Sequence, residues 1–483
     1  MADRANGSDG ITGALPRRSF LLGAGALAAA NVAGSGVAGA QEPAATAWDE
    51  LRERVRGTLV LPGDTTFGPA KALFDPQFDD RAPAGVIRAA TADDVTAAIV
   101  YARDRGLPIA ARAGGHSYVG ASATDGALVV DVRNLREVTV DGDLVTVGTG
   151  ATSFDVLSAL DGSGHALPVG TCPDVGLAGL ALGGGLGVDS RRYGLTCDRL
   201  VSAELVLPTG ATARTSADEL PGLFWALRGA GGVTGIVTSL TMRTCPATAK
   251  DVVRLTFPGE AAARVLTGWA QWMPAADRAV WANVEISATA DGLGCAVLVV
   301  SDAGAGARAA TEIAATAATA PLSVDTRSFA PLDAAVRLGG GASLPRSSKV
   351  AGSDVLAQLS PAVAATIVDT VTARSRGGAS GYVLIDPLDG AVRDIPADAT
   401  AFPWRAHAAA LQWIVESPDD PGDARRWIAD AHRALGPASA GAYVNYVEPG
   451  ERPDRYYAGN LARVRAVHRS ADPDNRLRGG IAF

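Results

Sequence analysis

The stretch that organises this chain is GTCPDVGLAGLALGGGLG, which runs from Gly170 to Gly187. Glycine fills seven of its eighteen positions (170, 176, 179, 183, 184, 185 and 187), and Asp174 is its single charged residue. Glycine at this density leaves backbone N–H groups bare and permits positive φ angles, so the main chain can press against a flat or anionic ligand. The stretch therefore predicts a cofactor cradle around its one cysteine, Cys172.

Two other interpretations of this stretch are weaker. A flexible linker would mix glycine with serine, whereas here leucines such as Leu177 and Leu180 separate the glycines. A dinucleotide fingerprint requires G-x-G-x-x-G, but Gly185-Leu186-Gly187 is followed by Val188-Asp189-Ser190, so the third glycine is missing.

A second glycine-rich cluster lies upstream, at Arg112-Ala113-Gly114-Gly115-His116-Ser117-Tyr118. Such a backbone nest can bind a pyrophosphate through its N–H groups, with Arg112 as a counter-charge. A lone histidine is usually structural, but the nucleophile Cys172 in the downstream cradle favours a chemical role for His116.

Length and charge limit the kind of protein this can be. The chain has 483 residues, 47% of them hydrophobic and 19% charged, which suits a soluble protein with two or three cores. A net charge of −8 argues against a nucleic-acid partner.

Residues 1–40 resemble a twin-arginine export signal. Arg17-Arg18-Ser19-Phe20 opens an apolar run to about Val32, and Ala38-Gly39-Ala40 supplies the small residues of a cleavage site. The run is shorter than the ~20 residues that span a bilayer. We therefore expect an extracellular or periplasmic protein with no membrane span after signal removal.

Three further segments follow the signal. Residues 41–250 contain the glycine clusters and a β-meander predicted over 128–132, 138–140 and 144–147, while residues 251–436 contain less glycine and alternate strands with amphipathic helices. The final segment, 437–483, restores an aromatic and glycine signature. We expect a cofactor domain, a substrate domain and a C-terminal return to the first domain.

The four cysteines are too few for a disulfide scaffold in so long a chain. If Cys172 bonds to a cofactor, three remain. Cys295 then fits a small buried hydrophobic residue. A disulfide between Cys197 and Cys245 is possible, but the sequence does not decide it. Neither of these two cysteines is expected to be catalytic.

Eight pieces in order resemble the berberine-bridge-enzyme-like FAD-linked oxidases of the vanillyl-alcohol-oxidase superfamily: RAGGHSYVG (112–120), GTCPDVGLAGLALGGGLG (170–187), RRYGL (191–195), LFWALRGAGG (223–232), GIVTSL (235–240), YVNY (443–446), YYAGN (456–460) and ADPDN (471–475). The resemblance implies an α+β fold. It would comprise a PCMH-type FAD-binding domain of two α/β subdomains, plus a substrate domain with an antiparallel sheet covered by helices.

The resemblance also implies a bicovalent FAD. His116 would bond to the 8α-methyl group and Cys172 to C6, which suits imidazole and thiolate as nucleophiles toward an electrophilic ring. The other cofactor-binding residues that it implies are Arg112, Ala113, Gly114, Gly115, Ser117, Gly170, Val175, Gly176, Gly179, Gly183, Gly184, Gly185, Gly187, Gly235, Ile236, Val237, Asn445 and Asn460.

By the same resemblance Tyr443 is the catalytic base, with Tyr446 as runner-up, and Tyr118, Tyr193 and Gln412 line the pocket. A phenol has a pKa of about 10, so the base needs a cation, hydrogen bonds to its anion or a coupled neighbour to act near pH 7. The alternative is that Tyr443 only packs or donates to the substrate hydroxyl.

The sequence leaves the substrate open, because Leu180, Val233-Thr234 and Trp404 depart from the usual family pattern. We expect an oxidase that transfers hydride from an alcohol or sugar to FAD and reduces O₂ to H₂O₂, with a small residue, Val175, leaving room for oxygen. A natural-product tailoring enzyme and a dehydrogenase with another acceptor remain alternatives. A non-catalytic binder would not need both His116 and Cys172. The partners expected are a small-molecule substrate and oxygen, without a metal, in a monomer or weak homodimer.

Overall fold

A mixed four-stranded sheet opens the structured part of the chain. Its strands are β1 (Thr58–Val60), β2 (Gly85–Arg88), β3 (Ile109–Arg112) and β4 (Leu128–Asp131), in the order β1-β2-β4-β3. Strands β2 and β3 run parallel to β4, and β1 is antiparallel to β2. The accompanying helices are α1 (Ala45–Arg54), α2 (Phe67–Lys71) and α3 (Ala92–Asp104). Helix α3 begins at a capping box between Thr91 and Asp94, which satisfies its first N–H groups.

A five-stranded antiparallel sheet follows, with strands β5 (Val138–Asp141), β6 (Leu144–Gly148), β8 (Leu200–Val206), β9 (Thr212–Ser216) and β10 (Ile236–Arg243) in the order β5-β6-β10-β8-β9. A small ribbon pairs β7 (His165–Ala166) with β11 (Cys245–Pro246). The helices here are α4 (Ser153–Leu160), α5 (Leu177–Gly183), α6 (Ser190–Tyr193) and α7 (Pro221–Ala226).

The predicted β-meander is wrong in part. The hairpin β5–β6 forms around the Asp141-Gly142-Asp143 turn. Strand β4 instead joins the other sheet, where β2 and β3 flank it on both sides. The physical reason is that β4 is buried along its whole length, as strands inside parallel arrays are.

The third sheet is antiparallel and has eight strands: β12 (Lys250–Phe257), β13 (Trp281–Thr289), β14 (Gly292–Asp302), β15 (Ser323–Phe329), β16 (Lys349–Leu356), β17 (Gly381–Pro387), β18 (Ala409–Glu416) and β19 (Ser439–Gly441). Their order is β15-β12-β14-β13-β17-β18-β16-β19. The helices of this region are α8 (Ala262–Trp272), α9 (Gly306–Thr316), α10 (Pro331–Gly339), α11 (Pro361–Arg376) and α12 (Pro421–Leu435).

The two faces of this sheet differ because side chains alternate along each strand. One face carries apolar residues such as Val284, Ile286 and Ile385, all fully buried against α8, α9, α11 and α12. Each such side chain stabilises the fold by about 1.5–3 kcal/mol. The opposite face carries Arg254, Asn283 and other polar residues, and it forms one wall of a cavity.

The C-terminal region contains α13 (Asp454–Tyr457) and α14 (Leu461–Ala471), and Leu477 makes a bridge to Ile109 beside β3. Short 3₁₀ helices occur at Pro76–Phe78, Ala121–Ala123, Thr196–Arg199, Gly259–Ala261, Met273–Ala275, Gly390–Asp394, Gly436–Ala438, Val444–Tyr446 and Ala458–Asn460.

This computed structural model describes residues 45–289 and 291–483, and residues 47–483 form one compact unit. The export signal predicted over residues 1–40 lies outside the described residues. Among the helices described, none has the length and apolar character needed to cross a bilayer.

Candidate active site

A cavity of about 590 Å³ lies between the two glycine-rich clusters and the polar face of the eight-stranded sheet. The clusters contribute residues 111–118 and much of 170–187. The sheet contributes residues from β12, β13, β14, β17 and β18, and the C-terminal region adds 443–447 and 477–481. The cavity therefore joins all three segments that the sequence distinguishes.

The two glycine clusters meet backbone to backbone. A Cβ on Gly114 would lie 2.3 Å from the nitrogen of Gly176, and a Cβ on Gly176 would lie 2.4 Å from the nitrogen of Gly114. No real side chain tolerates such distances, so glycine is required at both positions. This contact brings His116 and Cys172 to the same cavity.

The environment of His116 keeps its imidazole neutral. The ring stacks on Phe74 with centroids 4.1 Å apart. Burial lowers the pKa of His116 to about 4, and the charge of Lys349 acts in the same direction. A neutral imidazole near pH 7 has a free lone pair and can act as a nucleophile.

The Cys172 thiol experiences opposing effects. Burial raises the pKa of Cys172, while the backbone N–H of Asp174 and the charge of Lys349 lower it. Because the thiolate is the reactive form of cysteine, these two groups favour reaction where burial opposes it.

The first cluster fits an anionic group such as a pyrophosphate. Within the described residues, the backbone N–H groups of Gly115, His116 and Ser117 donate to no acceptor of the chain. Gly115 has a φ of +74°, the left-handed conformation that turns consecutive N–H groups toward one point. These donors, with two nucleophiles and a concave wall, fit FAD.

Arg112 is more constrained than the sequence predicts. Its guanidinium donates to the carbonyl of Ala70 at 2.5 Å and to that of Ala72, and its Nε has no partner. Burial lowers the pKa of Arg112 to about 10. Arg112 thus holds residues 70–72 in place. Its predicted role as a counter-charge would depend on its Nε–H group and on the electrostatic attraction of its positive charge.

The triple glycine Gly183–Gly185 packs against the YVNY segment (443–446) and does not line the cavity. A Cβ on Gly183 would lie 1.9 Å from Oδ1 of Asn445. The N–H of Gly185 donates to the Tyr443 hydroxyl at 2.7 Å, and the Asn445 amide donates to the same oxygen at 2.8 Å. The glycines predicted to bind the cofactor are required here for packing, because Asn445 approaches Gly183, Tyr443 approaches Gly184 and Thr196 approaches Gly185.

Tyr443 and Tyr446 have different surroundings. Tyr443 is 2% exposed, and burial raises its pKa despite its two donors. Tyr446 packs edge-on against Tyr443 at 4.9 Å and stacks on Tyr118 at 5.9 Å, and within the described chain its hydroxyl has no hydrogen-bond partner. Gln412 donates to the Tyr118 hydroxyl at 2.5 Å, which orders this side of the cavity.

Asp386, which the sequence analysis did not identify, lies on the cavity wall. It belongs to β17, and within the part of the chain that the structure describes its one hydrogen bond comes from the Asn283 amide at 3.3 Å. Burial raises the pKa of Asp386 to about 6. Burial, followed by the charge of Asp386, raises the pKa of Tyr446 well above its ordinary value. A carboxylate inside the apolar strand GYVLIDP was a usable signal, because an acidic residue is rarely placed there without a partner.

Besides Gly183–Gly185, two predicted site residues lie away from this cavity. Tyr193 is in α6, with Arg192 5.1 Å above its ring, and its hydroxyl is buried without a partner. Asn460 donates to the carbonyls of Ala397 and Thr400, so it fastens a loop. The remaining predicted residues do line the cavity: Ala113, Gly170, Val175, Gly179, Gly187, Gly235, Ile236 and Val237.

All four cysteines are free thiols. Cys197 lies beside Asp198 at 3.5 Å, and Cys245 donates to the carbonyl of Ala166 at 3.4 Å. The bridge between them that the sequence left open does not form.

Comparison with known proteins agrees with this geometry. Residues 83–216 match the FAD binding domain family FAD_binding_4. An uncharacterized FAD-linked oxidoreductase, YgaK of Bacillus subtilis (strain 168), is 29% identical over 444 residues, which cover 88% of this chain and 96% of YgaK. The structure of xylooligosaccharide oxidase from Myceliophthora thermophila C1 in complex with xylobiose superposes with a TM-score of 0.81 at 25% identity, covering 89% of this chain and 97% of that one. Berberine bridge enzyme from Eschscholzia californica has the same fold, with a TM-score of 0.79 at 20% identity and coverage of 90% and 98%.

The fold and the cavity define an FAD-linked oxidoreductase. More narrowly, the chain resembles the berberine-bridge-enzyme-like FAD-linked oxidases in fold, and the α+β architecture implied by that resemblance is confirmed.

Proposed function

We propose that this protein is an exported oxidase with FAD bound through both His116 and Cys172, which oxidises an alcohol or sugar hydroxyl and passes the electrons to O₂. The observation that carries the proposal is the single cavity that joins these two nucleophiles to the polar sheet face. When bound, FAD supplies the hydride acceptor, and the chain supplies binding, orientation and proton removal.

In this proposal Asp386 is the base, and Tyr446 relays the proton to it from the substrate hydroxyl, because burial raises the pKa of the Tyr446 phenol well above its ordinary value. The Tyr443 hydroxyl is already held by Gly185 and Asn445 and is almost inaccessible. Tyr446 is free to contact a substrate hydroxyl, and Asp386 can accept the proton because its pKa of about 6 lies near physiological pH. Tyr443 then positions Tyr446 by ring contact.

The wall of the cavity formed by the polar face of the eight-stranded sheet suits a polyhydroxylated substrate. Arg254 on β12 and Asn283 and Glu285 on β13 present donors and acceptors on either side of β14, and Arg254 and Glu285 lie 3.7 Å apart. Sugars are recognised by such polar sets because every hydroxyl needs a partner when it leaves water. The related xylooligosaccharide oxidase acts on a substrate of this class, as its name states.

A substrate panel tests the proposal directly. Oligosaccharides, benzylic alcohols and polycyclic natural products should each be mixed anaerobically with the purified protein while flavin absorbance is followed, and H₂O₂ should be measured in air. We expect bleaching and stoichiometric H₂O₂ with a sugar. Bleaching only with polycyclic compounds would favour a tailoring oxidase, and bleaching without H₂O₂ would favour a dehydrogenase.

The role of oxygen has its own test at Val175, which lines the cavity three residues after Cys172. Leucine adds one methylene and would fill space that O₂ needs in a close-packed interior. Val175→Leu should slow reoxidation by air about tenfold or more while substrate reduction stays nearly unchanged. Equal reoxidation rates would contradict this use of Val175.

Export is proposed from the Arg17-Arg18 signal alone. Replacing both arginines by lysine should leave the protein in the cytoplasm of a host with twin-arginine transport. Export of the double variant at the original level would refute this route.

A further inference from the structure

Among the described residues, Lys349 is the lysine whose ammonium group has no hydrogen-bond acceptor. Lys250 pairs with Asp189 and Asp302, and Lys71 donates to backbone carbonyls. Across the described residues, Lys349 forms neither an ion pair nor a side-chain hydrogen bond, although it lines the cavity.

The position of Lys349 is fixed by its own backbone. Its N–H donates to Asp75 at 3.2 Å, and its carbonyl accepts from the Gln77 amide at 2.9 Å. The ammonium lies 5.6 Å from the centre of the Phe74 ring, and that ring stacks on His116. The cation is therefore held at the end of the cavity where the two nucleophiles meet.

The nearby carboxylates are engaged elsewhere. Asp75 accepts from Gln77 and from the Lys349 backbone, and Asp174 accepts from the N–H of Leu344 at 2.5 Å. Neither forms a salt bridge with Lys349, so the charge of Lys349 acts on Cys172 and His116.

We propose that Lys349 activates Cys172 for its bond to flavin, by holding a positive charge beside the thiolate at the His116 end of the cavity. The inference rests on the proposed bicovalent attachment. Burial alone would keep this thiol protonated, and a cation is the usual means of opposing that effect.

The reaction balances with oxygen as oxidant. The Cys172 thiol loses its proton, sulfur bonds to C6 of the flavin, the C6 proton leaves, and two electrons pass through the ring to O₂, which becomes H₂O₂. His116 needs no such help, because burial already keeps its imidazole neutral near pH 7.

Removing the charge of Lys349 should therefore slow the bond from Cys172 to the flavin and leave the bond from His116 unaffected. Lys349→Met removes the charge but keeps a side chain of similar length over Phe74. The full-length protein is produced under riboflavin limitation, mixed with FAD, and analysed at successive times for its bonds to the flavin. We expect intact mass to show one FAD per chain through His116, while Cys172 becomes linked about tenfold more slowly and is alkylated by iodoacetamide after denaturation.

Matched variants identify the cause. Lys349→Arg should link Cys172 at close to the original rate, and Arg254→Met, which removes another cation from the same cavity, should leave linkage unchanged. Raising the pH by about one unit should restore the linkage rate in Lys349→Met, because below the pKa of a thiol its thiolate fraction rises about tenfold per pH unit. Lys349→Gln provides a second neutral variant if the methionine variant does not fold.

The outcomes separate this inference from the proposed function. Linkage of Cys172 at the original rate in both neutral variants would overturn the role of Lys349 and leave the bicovalent flavin intact. An unlinked Cys172 in the unaltered protein would overturn the bicovalent attachment itself.

Discussion

Two clusters of polar side chains in this protein contain buried histidine, and they behave in opposite ways. In the cavity, His116 forms no ion pair with a carboxylate among the described residues, and burial lowers its pKa to about 4 although a hydrogen bond to the Asp174 backbone acts in the opposite direction. Behind the YVNY segment, His432 lies between Asp354 at 2.7 Å and Glu448 at 2.9 Å. Burial lowers the pKa of His432 as well, but the two carboxylates outweigh it and raise the pKa to about 9.

The difference shows what partners do to buried polar groups. Asp354 also accepts hydrogen bonds from Trp413 and Ser439. The polar groups of the His432 cluster therefore pair with one another and connect the sheet to the C-terminal segment. Within the described residues, the side chains of His116, Cys172, Tyr446 and Asp386 form no ion pair, and all four residues line the cavity, where a ligand can reach them. We therefore expect substitutions in the cavity to change chemistry, and substitutions in the His432 cluster to change stability.

The largest effect should come from the two nucleophiles. His116→Ala combined with Cys172→Ala removes both bonding atoms, so acid-precipitated protein should lose all of its flavin, whereas the unaltered protein should stay yellow. Absorbance of the precipitate and intact mass measure this. Flavin that survives denaturation in the double variant would show that another residue carries it.

The next effect concerns the base. Tyr446→Phe and Asp386→Asn should each slow anaerobic flavin reduction about 10²-fold, the scale of lost general-base catalysis, with flavin still attached. With Asp386 present, the reduction rate should rise as pH increases through about 6, because the carboxylate must be deprotonated to accept a proton. Asp386→Asn should abolish that rise.

Tyr443→Phe is the matched control for this prediction. It removes a hydroxyl that is occupied by Gly185 and Asn445, so the change in reduction rate should be well under that of Tyr446→Phe. A larger loss of reduction rate in Tyr443→Phe than in Tyr446→Phe would assign proton removal to Tyr443.

The third effect is on stability. The folded-state pKa of His432 is raised from 6.5 to about 9, so its contribution is fully present below pH 6.5 and is lost as pH rises through about 9. The shift corresponds to about 3 kcal/mol. Chemical unfolding of His432→Gln and the unaltered protein should differ by that order at pH 6 and converge above pH 9, while flavin reduction per folded molecule changes little. A constant difference across this range would contradict the charged histidine.

The smallest effect should come from the buried thiols outside the cavity. Burial raises the pKa of Cys245 to about 12, so its thiol is inert near neutral pH, and it packs in the β7–β11 ribbon. Cys245→Ala should cost about 1 kcal/mol of stability and leave flavin reduction unchanged. A well-folded variant with slowed reduction would place Cys245 in the chemistry.

Local interactions explain what the sequence determined. The glycine clusters, the capping box of α3 and the β5–β6 hairpin each depend on neighbouring residues, because caps, turns and left-handed conformations involve a few consecutive positions. The alternation along β13 and β17 likewise marks one face as apolar before any fold is known. Cys172 and His116 stand out in sequence because each lies within such a local pattern.

The tertiary structure alone decided which groups meet. Strand β4 pairs with β2 and β3 and not with β5, Gly183–Gly185 receive the YVNY segment, and Asp386 joins the cavity while Tyr193 does not. These are contacts between distant parts of the chain, where burial and close packing select partners that no short pattern specifies. The same long-range packing places Lys349 at the end of the cavity with Cys172 and Phe74. It also gives the Tyr443 hydroxyl two donors, whereas the Tyr446 hydroxyl has no hydrogen-bond partner among the described residues.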